Sequence, residues 1–275
     1  MDARLQSRVQ RYGWDAASGY YHDAWSAQLR PVHDSLLRMA GIASGQRIVE
    51  TACGSGLLTV RLAKQVGRAG RVLATDISQG MLDDLGVRLA DDAIDTVQAA
   101  RMAADRLAVP DESFDAAVCA LGLMYTPDPA AALSEMVRVT APGGVVAASV
   151  WGERRNCGWA DVFPIVDARV ASEVCPMFFG TGAPDALTRL CKTAGLTDVA
   201  EHRQSETLLF SSDEDLLQAV LLGGPVALAV KRFSRDAWEE VCHDFLQSVA
   251  DQKRPNGSYG IPAEFVTVTG RRPRR

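Results

Sequence analysis

The chain has 275 residues, 47% hydrophobic and 23% charged, which is ordinary for a soluble globular protein and enough for one large α/β domain with a sizeable core. A formal net charge of −5 speaks against a broad nucleic-acid footprint or an anionic membrane partner. Cysteines at 53, 119, 157, 175, 191 and 242 form no C-x-x-C pair, which speaks against a disulfide framework and a zinc site. Without an apolar signal stretch after Met1, the expected home is a reduced cytoplasm. The most apolar run, Leu216 to Val230, is broken by Gln218 and Gly223-Gly224-Pro225 and is too short to span a bilayer. The closing arginines (271, 272, 274 and 275) read as a frayed, solvated terminus.

In chain order, residues 1–40 read as helices, with a new segment at Pro31 and a C-cap at Gly41. They contain the cluster Tyr20-Tyr-His-Asp-Ala-Trp25. From Gln46 the rhythm becomes strand–helix repeated. Ile48-Val49 is a buried strand, Leu57 to Val66 a helix closed by Gly67, and Arg71 to Thr75 a second strand ending at Asp76. Ser78 caps the next helix. A weak third strand lies near Thr96 to Ala100 and a fourth at Phe114 to Leu121. A helix from Pro129 to Val139 stops at Pro142-Gly143-Gly144, and Val145 to Trp151 is the fifth strand. Beyond it the spacing predicts helices over Trp159–Ser172, Pro184–Ala194, Ser212–Leu222 and Ser234–Val249, with strands at Asp198–Phe210 and Glu264–Thr269. The alternation predicts a doubly wound parallel sheet with ligands at its carboxyl ends.

One turn stands out. In Glu50-Thr-Ala-Cys-Gly-Ser-Gly56 an apolar strand collapses into small residues before a helix begins, which lets a ligand approach the backbone. Asp76, twenty residues past Gly56, sits where a strand-end acid meets ribose hydroxyls. A dinucleotide fingerprint G-x-G-x-x-G/A fails in either register, because its third position falls on Thr59 or Leu57. What remains, Glu50-x-Ala52-x-Gly54-x-Gly56, resembles the E/D-x-G-x-G-x-G motif of class I S-adenosylmethionine (SAM)-dependent methyltransferases, with alanine at the first glycine. Val109 to Val118, Leu121 to Asp128 and Glu135 to Val145 resemble that family's approach to strand four, its exit, and the turn into strand five. Ser258 to Thr269 resembles the final strand of the ubiquinone/menaquinone-biosynthesis-like, small-molecule branch.

The resemblance implies a Rossmann-like, seven-stranded, mostly parallel sheet with an antiparallel last strand and a helical lid inserted in the C-terminal half. It implies one domain over 1–275: an N-terminal helical cap (1–40), a SAM-binding half (41–151) and a substrate and lid half (152–275). SAM would rest on Glu50, Ala52, Gly54, Gly56, Asp76, Ile77, Met81, Cys119 and Leu121, and leave as S-adenosylhomocysteine (SAH). The family's adenine-binding acid aligns with Ala103, so either the Ala104 amide or Asp105 would serve.

For catalysis the candidates are His22 and Tyr21, on a helix that lies over the site in relatives; His33, His202 and His243 read as surface groups. The acceptor would meet Trp25, Met124, Tyr125, Trp151, Trp159 and Phe178, suggesting a small apolar or aromatic metabolite methylated on O, N or C. No metal, nucleic acid or membrane insertion is expected, and a homodimer is a possible assembly. The alternatives are an NAD(P)-dependent oxidoreductase and a non-catalytic SAM-binding protein.

Overall fold

Helix α1 (Ala3–Trp25) opens the computed structural model, which describes residues 3–170 and 178–274. Helix α2 (Arg30–Ala40) follows and ends as expected at Gly41, whose left-handed backbone (φ 60) lets its N–H bond the Leu37 carbonyl. Strand and helix then alternate through β1 (Arg47–Thr51), α3 (Thr59–Val66), β2 (Arg71–Asp76), α4 (Gln79–Asp91) and β3 (Val97–Arg101). The Ser78 side chain accepts from the Met81 N–H and starts α4. Next come β4 (Phe114–Ala120), α5 (Pro129–Val139) and β5 (Thr140–Trp151). The remainder holds α6 (Val162–Asp167), α7 (Ala186–Thr193), β6 (Thr197–Phe210), α8 (Asp213–Leu217), α9 (Ala227–Val230), α10 (Arg235–Ser248) and β7 (Tyr259–Arg271). No helix of the described residues is long and apolar enough to cross a membrane.

The strands form one seven-stranded sheet in the order β3-β2-β1-β4-β5-β7-β6, with β7 antiparallel to both neighbours and the other pairings parallel. Side chains alternate through it. Val49, Ala117, Cys119, Val146 and Val150 face one packed layer, and Ile48, Val72, Ala116, Val118 and Ala147 face the other. Burial on both faces is why these strands read as continuous apolar runs. Chain order reverses between β1 and β4, so the turn after β1 and the loop after β4 meet at the sheet's switch point.

Four expectations change. The fifth strand begins at Thr140, because the left-handed Gly143 (φ 80) and a register shift at Phe114/Ala116 absorb the Pro-Gly-Gly turn into the strand. Between Trp159 and Ser172 only Val162–Asp167 is helical among the described residues, and Ser172 and Cys175 lie outside them. Of the terminal arginines, Arg272 is not part of a solvated fray, although Arg271 and Arg274 are exposed. Arg272 donates to the carbonyls of Val137, Arg138 and Thr140 (3.1, 2.8 and 2.6 Å) and pairs with Glu112, closing the carboxyl end of α5. Arg271 completes β7, and Arg275 lies outside the described residues. Nor is His33 a surface group: it is buried on α2, and burial with the nearby Arg61 cation holds its pKa at about 3.

Candidate functional site

The turn after β1 is built from residues in left-handed conformations. Ala52 (φ 53), Gly54 (φ 55) and Gly56 (φ 89) fold the backbone back on itself, and Ala52 adopts a region open to L-residues only at some cost. Two buried carboxyl groups hold it. Glu50 accepts from the Thr59 hydroxyl at 2.6 Å behind the turn. Asp76, at the end of β2, accepts from the Gly54 N–H at 2.9 Å and the Ser78 N–H at 2.8 Å, one on each oxygen. Each oxygen keeps a lone pair for a further donor. From β4, Leu121 (φ 57) and Gly122 come down on the turn so closely that a Cβ on Gly122 would sit 2.4 Å from that of Ala52.

These surfaces floor a cavity of about 1000 Å³, counted with its mouth. Helix α1 roofs it with one face: Ser7, Gln10, Trp14, Tyr21 and Trp25, spaced by helical turns, all line it. The helix is pinned at two places. Asp15 accepts from the Ser78 hydroxyl (2.6 Å) and the Gly80 N–H (3.2 Å), sharing the cap of α4. The Trp25 indole N–H is shared by the carbonyls of Ala219 and Gly223 (3.1 and 3.0 Å), which ties α1 to the lid. The far wall is aromatic: Trp25, Trp151 and Trp159 contact one another edge to face, and Tyr125 packs on Trp14 at 4.8 Å.

The electrostatics favour a cation. Burial, reinforced by Asp76, pushes the Glu50 carboxyl up to about 8, and burial likewise raises that of Asp76. Neither makes an ion pair among the described residues, and no Lys or Arg lines the cavity. A positively charged ligand would relieve this strain, whereas a pyrophosphate would meet carboxylates without a counter-charge.

Of the cofactor residues expected from sequence, Ala52, Gly54, Asp76, Ile77, Met81, Ala104, Asp105 and Leu121 line the cavity. Glu50, Gly56 and Cys119 do not. Glu50 and Cys119 are buried in and under the sheet, and Gly56 is pressed against α4, where a Cβ would reach within 2.4 Å of Leu85 Cδ1. Of the residues expected to meet an acceptor, Trp25, Tyr125, Trp151 and Trp159 line the cavity, while Met124 and Phe178 form core behind them, Phe178 backing Tyr125 at 5.1 Å.

The pair expected to be catalytic is split. Tyr21 lines the cavity, and burial beside Asp76 and Glu50 raises its pKa, so it stays a neutral phenol. His22, one residue on and so about 100° around the helix, is off the lining and contacts the Ser55 hydroxyl at 3.2 Å. Its pKa is lowered by burial and Arg88. Sequence reasoning missed Ser7, Gln10, Trp14, Gly122, Thr126 and Gly223-Gly224-Pro225 on the lining. The α1 residues share the helical face of Tyr21 and Trp25, a legible signal; the lid glycines offered none.

A methyltransferase-domain family model matches residues 48–144. An uncharacterized protein of Mycobacterium tuberculosis is 33% identical over 123 residues, 45% of this chain and 43% of that protein. The ubiquinone/menaquinone biosynthesis C-methyltransferase UbiE of Chromobacterium violaceum is 35% identical over 130 residues, 47% of this chain and 50% of that enzyme. The chain thus spans about half the length of the curated relatives it matches. Among solved structures, phosphoethanolamine N-methyltransferase 2 of Haemonchus contortus in complex with S-adenosyl-L-methionine superposes with a TM-score of 0.62 at 16% identity, over 94% of this chain and 57% of that one, a likeness of fold.

Proposed function

We propose that this chain, a class I SAM-dependent methyltransferase by the domain it carries over residues 48–144, transfers the methyl group of SAM to a small apolar or aromatic metabolite. The observation that carries the proposal is one continuous cavity whose floor presents the Asp76 carboxyl, backed by the buried Glu50 behind the turn, and whose roof is aromatic. The floor suits SAM, which bears a sulfonium and an ammonium. The Ala52–Gly56 turn would hold its methionine end, Asp76 its ribose, and Ile77 with residues 102–105 its adenine. Bound there, SAM supplies a methyl already activated by the sulfonium.

The chain's own work is then placement and exclusion of water. Trp14, Trp25, Trp151 and Trp159 would clasp the acceptor, and α1 with the Gly223-Gly224-Pro225 segment would close it from solvent. Among the described residues no His, Lys or Glu lines the cavity, and Tyr21 is held protonated, so Tyr21 would donate a hydrogen bond rather than take a proton. An acceptor suited to such a chamber is nucleophilic without a strong base: an electron-rich ring carbon, an amine, or an acidic phenol. The named UbiE relatives are C-methyltransferases of quinone biosynthesis, and an electron-rich ring is within this class.

The test is methyl transfer from methyl-labelled SAM to panels of quinols, phenols, indoles and aromatic amines. Label in the aromatic panels above that in aliphatic polar controls supports the proposal. SAH binding with no acceptor labelled in any panel would instead make the protein a SAM binder without transfer.

A further inference from the structure

We infer that Gln10, on the N-terminal helix, reads the amino-group edge of the adenine in place of the acid that the resemblance puts at position 103. The inference rests on the SAM assignment above. At the position where the family resemblance places an acid this chain has Ala103, which has no side-chain acceptor to offer an exocyclic amine. Gln10 supplies one. It is 9% exposed and lines the cavity, and its amide has no hydrogen-bond partner among the described residues. Facing the cavity with no protein partner, the amide is free to bond a ligand group that enters.

Position along α1 places Gln10 at the adenine end. Its helix neighbours Ser7, Arg8 and Arg11 border a second opening together with Ile77, Met102 and Ala103, so this turn of α1 lies directly over the loop after β3. The aromatic residues of the same face, Trp14, Tyr21 and Trp25, follow toward the acceptor half. The glutamine amide oxygen can accept a hydrogen bond from the 6-amino group of adenine. Asp105 also lines the cavity and is the rival reader.

The test is calorimetric binding of two ligands, SAH and its analogue with purine in place of adenine, which lacks only the 6-amino group. Gln10→Leu keeps the volume and the helix. It should weaken SAH about tenfold, the scale of a lost buried hydrogen bond, but the purine analogue no more than about twofold. Gln10→Glu, which still accepts from the amine, should hold SAH within about threefold of wild type. Gln10→Met serves if the leucine variant does not fold. Equal losses for both ligands would make Gln10 a packing residue and overturn the inference. So would unchanged SAH affinity in Gln10→Leu, or an adenine-specific loss in Asp105→Asn instead. Wild type failing to bind SAH at all would be a different result, refuting the cofactor assignment beneath it.

Discussion

Alanine at the first glycine of the turn is compensated across the cavity floor, and Gly122 shows how. Building a Cβ on Gly122 puts it 2.4 Å from the Ala52 Cβ and 2.8 Å from the Cys119 sulfur. Carbon atoms prefer about 3.5–4.0 Å, so Gly122→Ala forces one loop aside by more than about 1 Å. Overpacking of that size costs about 2–3 kcal/mol. Ala52→Gly alone should be nearly neutral, since it relieves a left-handed alanine worth about 1 kcal/mol but adds chain entropy of about 0.5–1 kcal/mol. The double variant removes the 2.4 Å clash and leaves only the sulfur contact. Gly122→Ala should therefore be less harmful in the Ala52→Gly background by about 1 kcal/mol or more, a coupling readable by urea denaturation of the four proteins. SAH affinity should follow, falling at least about tenfold in Gly122→Ala and recovering in part in the double variant. Additivity within about 0.5 kcal/mol would refute the contact as the reason for Gly122.

Three further outcomes are expected. His22→Ala should keep kcat/KM within about twofold across pH 6–8, since the imidazole contacts Ser55 outside the cavity; a loss above about tenfold would return His22 to the mechanism. Glu50 titrates near 8 when folded against 4.5 when free, so the unfolded chain releases this proton first. Stability is then greatest below that lower value and falls as pH climbs to about 8, by up to about 1.4 kcal/mol per unit. Glu50→Gln, measured by urea midpoints, should gain on wild type steadily through that window, and a pH-independent difference would contradict the assignment. Asp15→Ala should cost about 1 kcal/mol of stability through the lost shared cap and raise the KM for the acceptor by loosening α1. Unchanged KM would separate the cap from the roof.

The sheet and its switch point were legible because parallel strands buried on both faces leave unmistakable apolar runs, ended here by Glu50 and Asp76. The site's floor was legible for the same reason: Ala52, Gly54 and Asp76 lie at strand ends, where register fixes direction. The roof was less so. One residue's rotation on a helix decides whether Tyr21 or His22 faces in, and composition around the pair does not carry that phase. Reading the face through Gln10, Trp14 and Trp25 would have set it. Arg272 and His33 eluded sequence reasoning because each is covered by segments distant in the chain, α5 half-burying one and the sheet strands under α2 burying the other.

The most direct test of the central claim is titration of SAH into wild type and Asp76→Ala, with NAD alongside. One SAH should bind per chain, Asp76→Ala should weaken it at least about tenfold through the lost ribose acceptor, and NAD should give no heat. NAD binding in this cavity, or SAH affinity indifferent to Asp76, would contradict it.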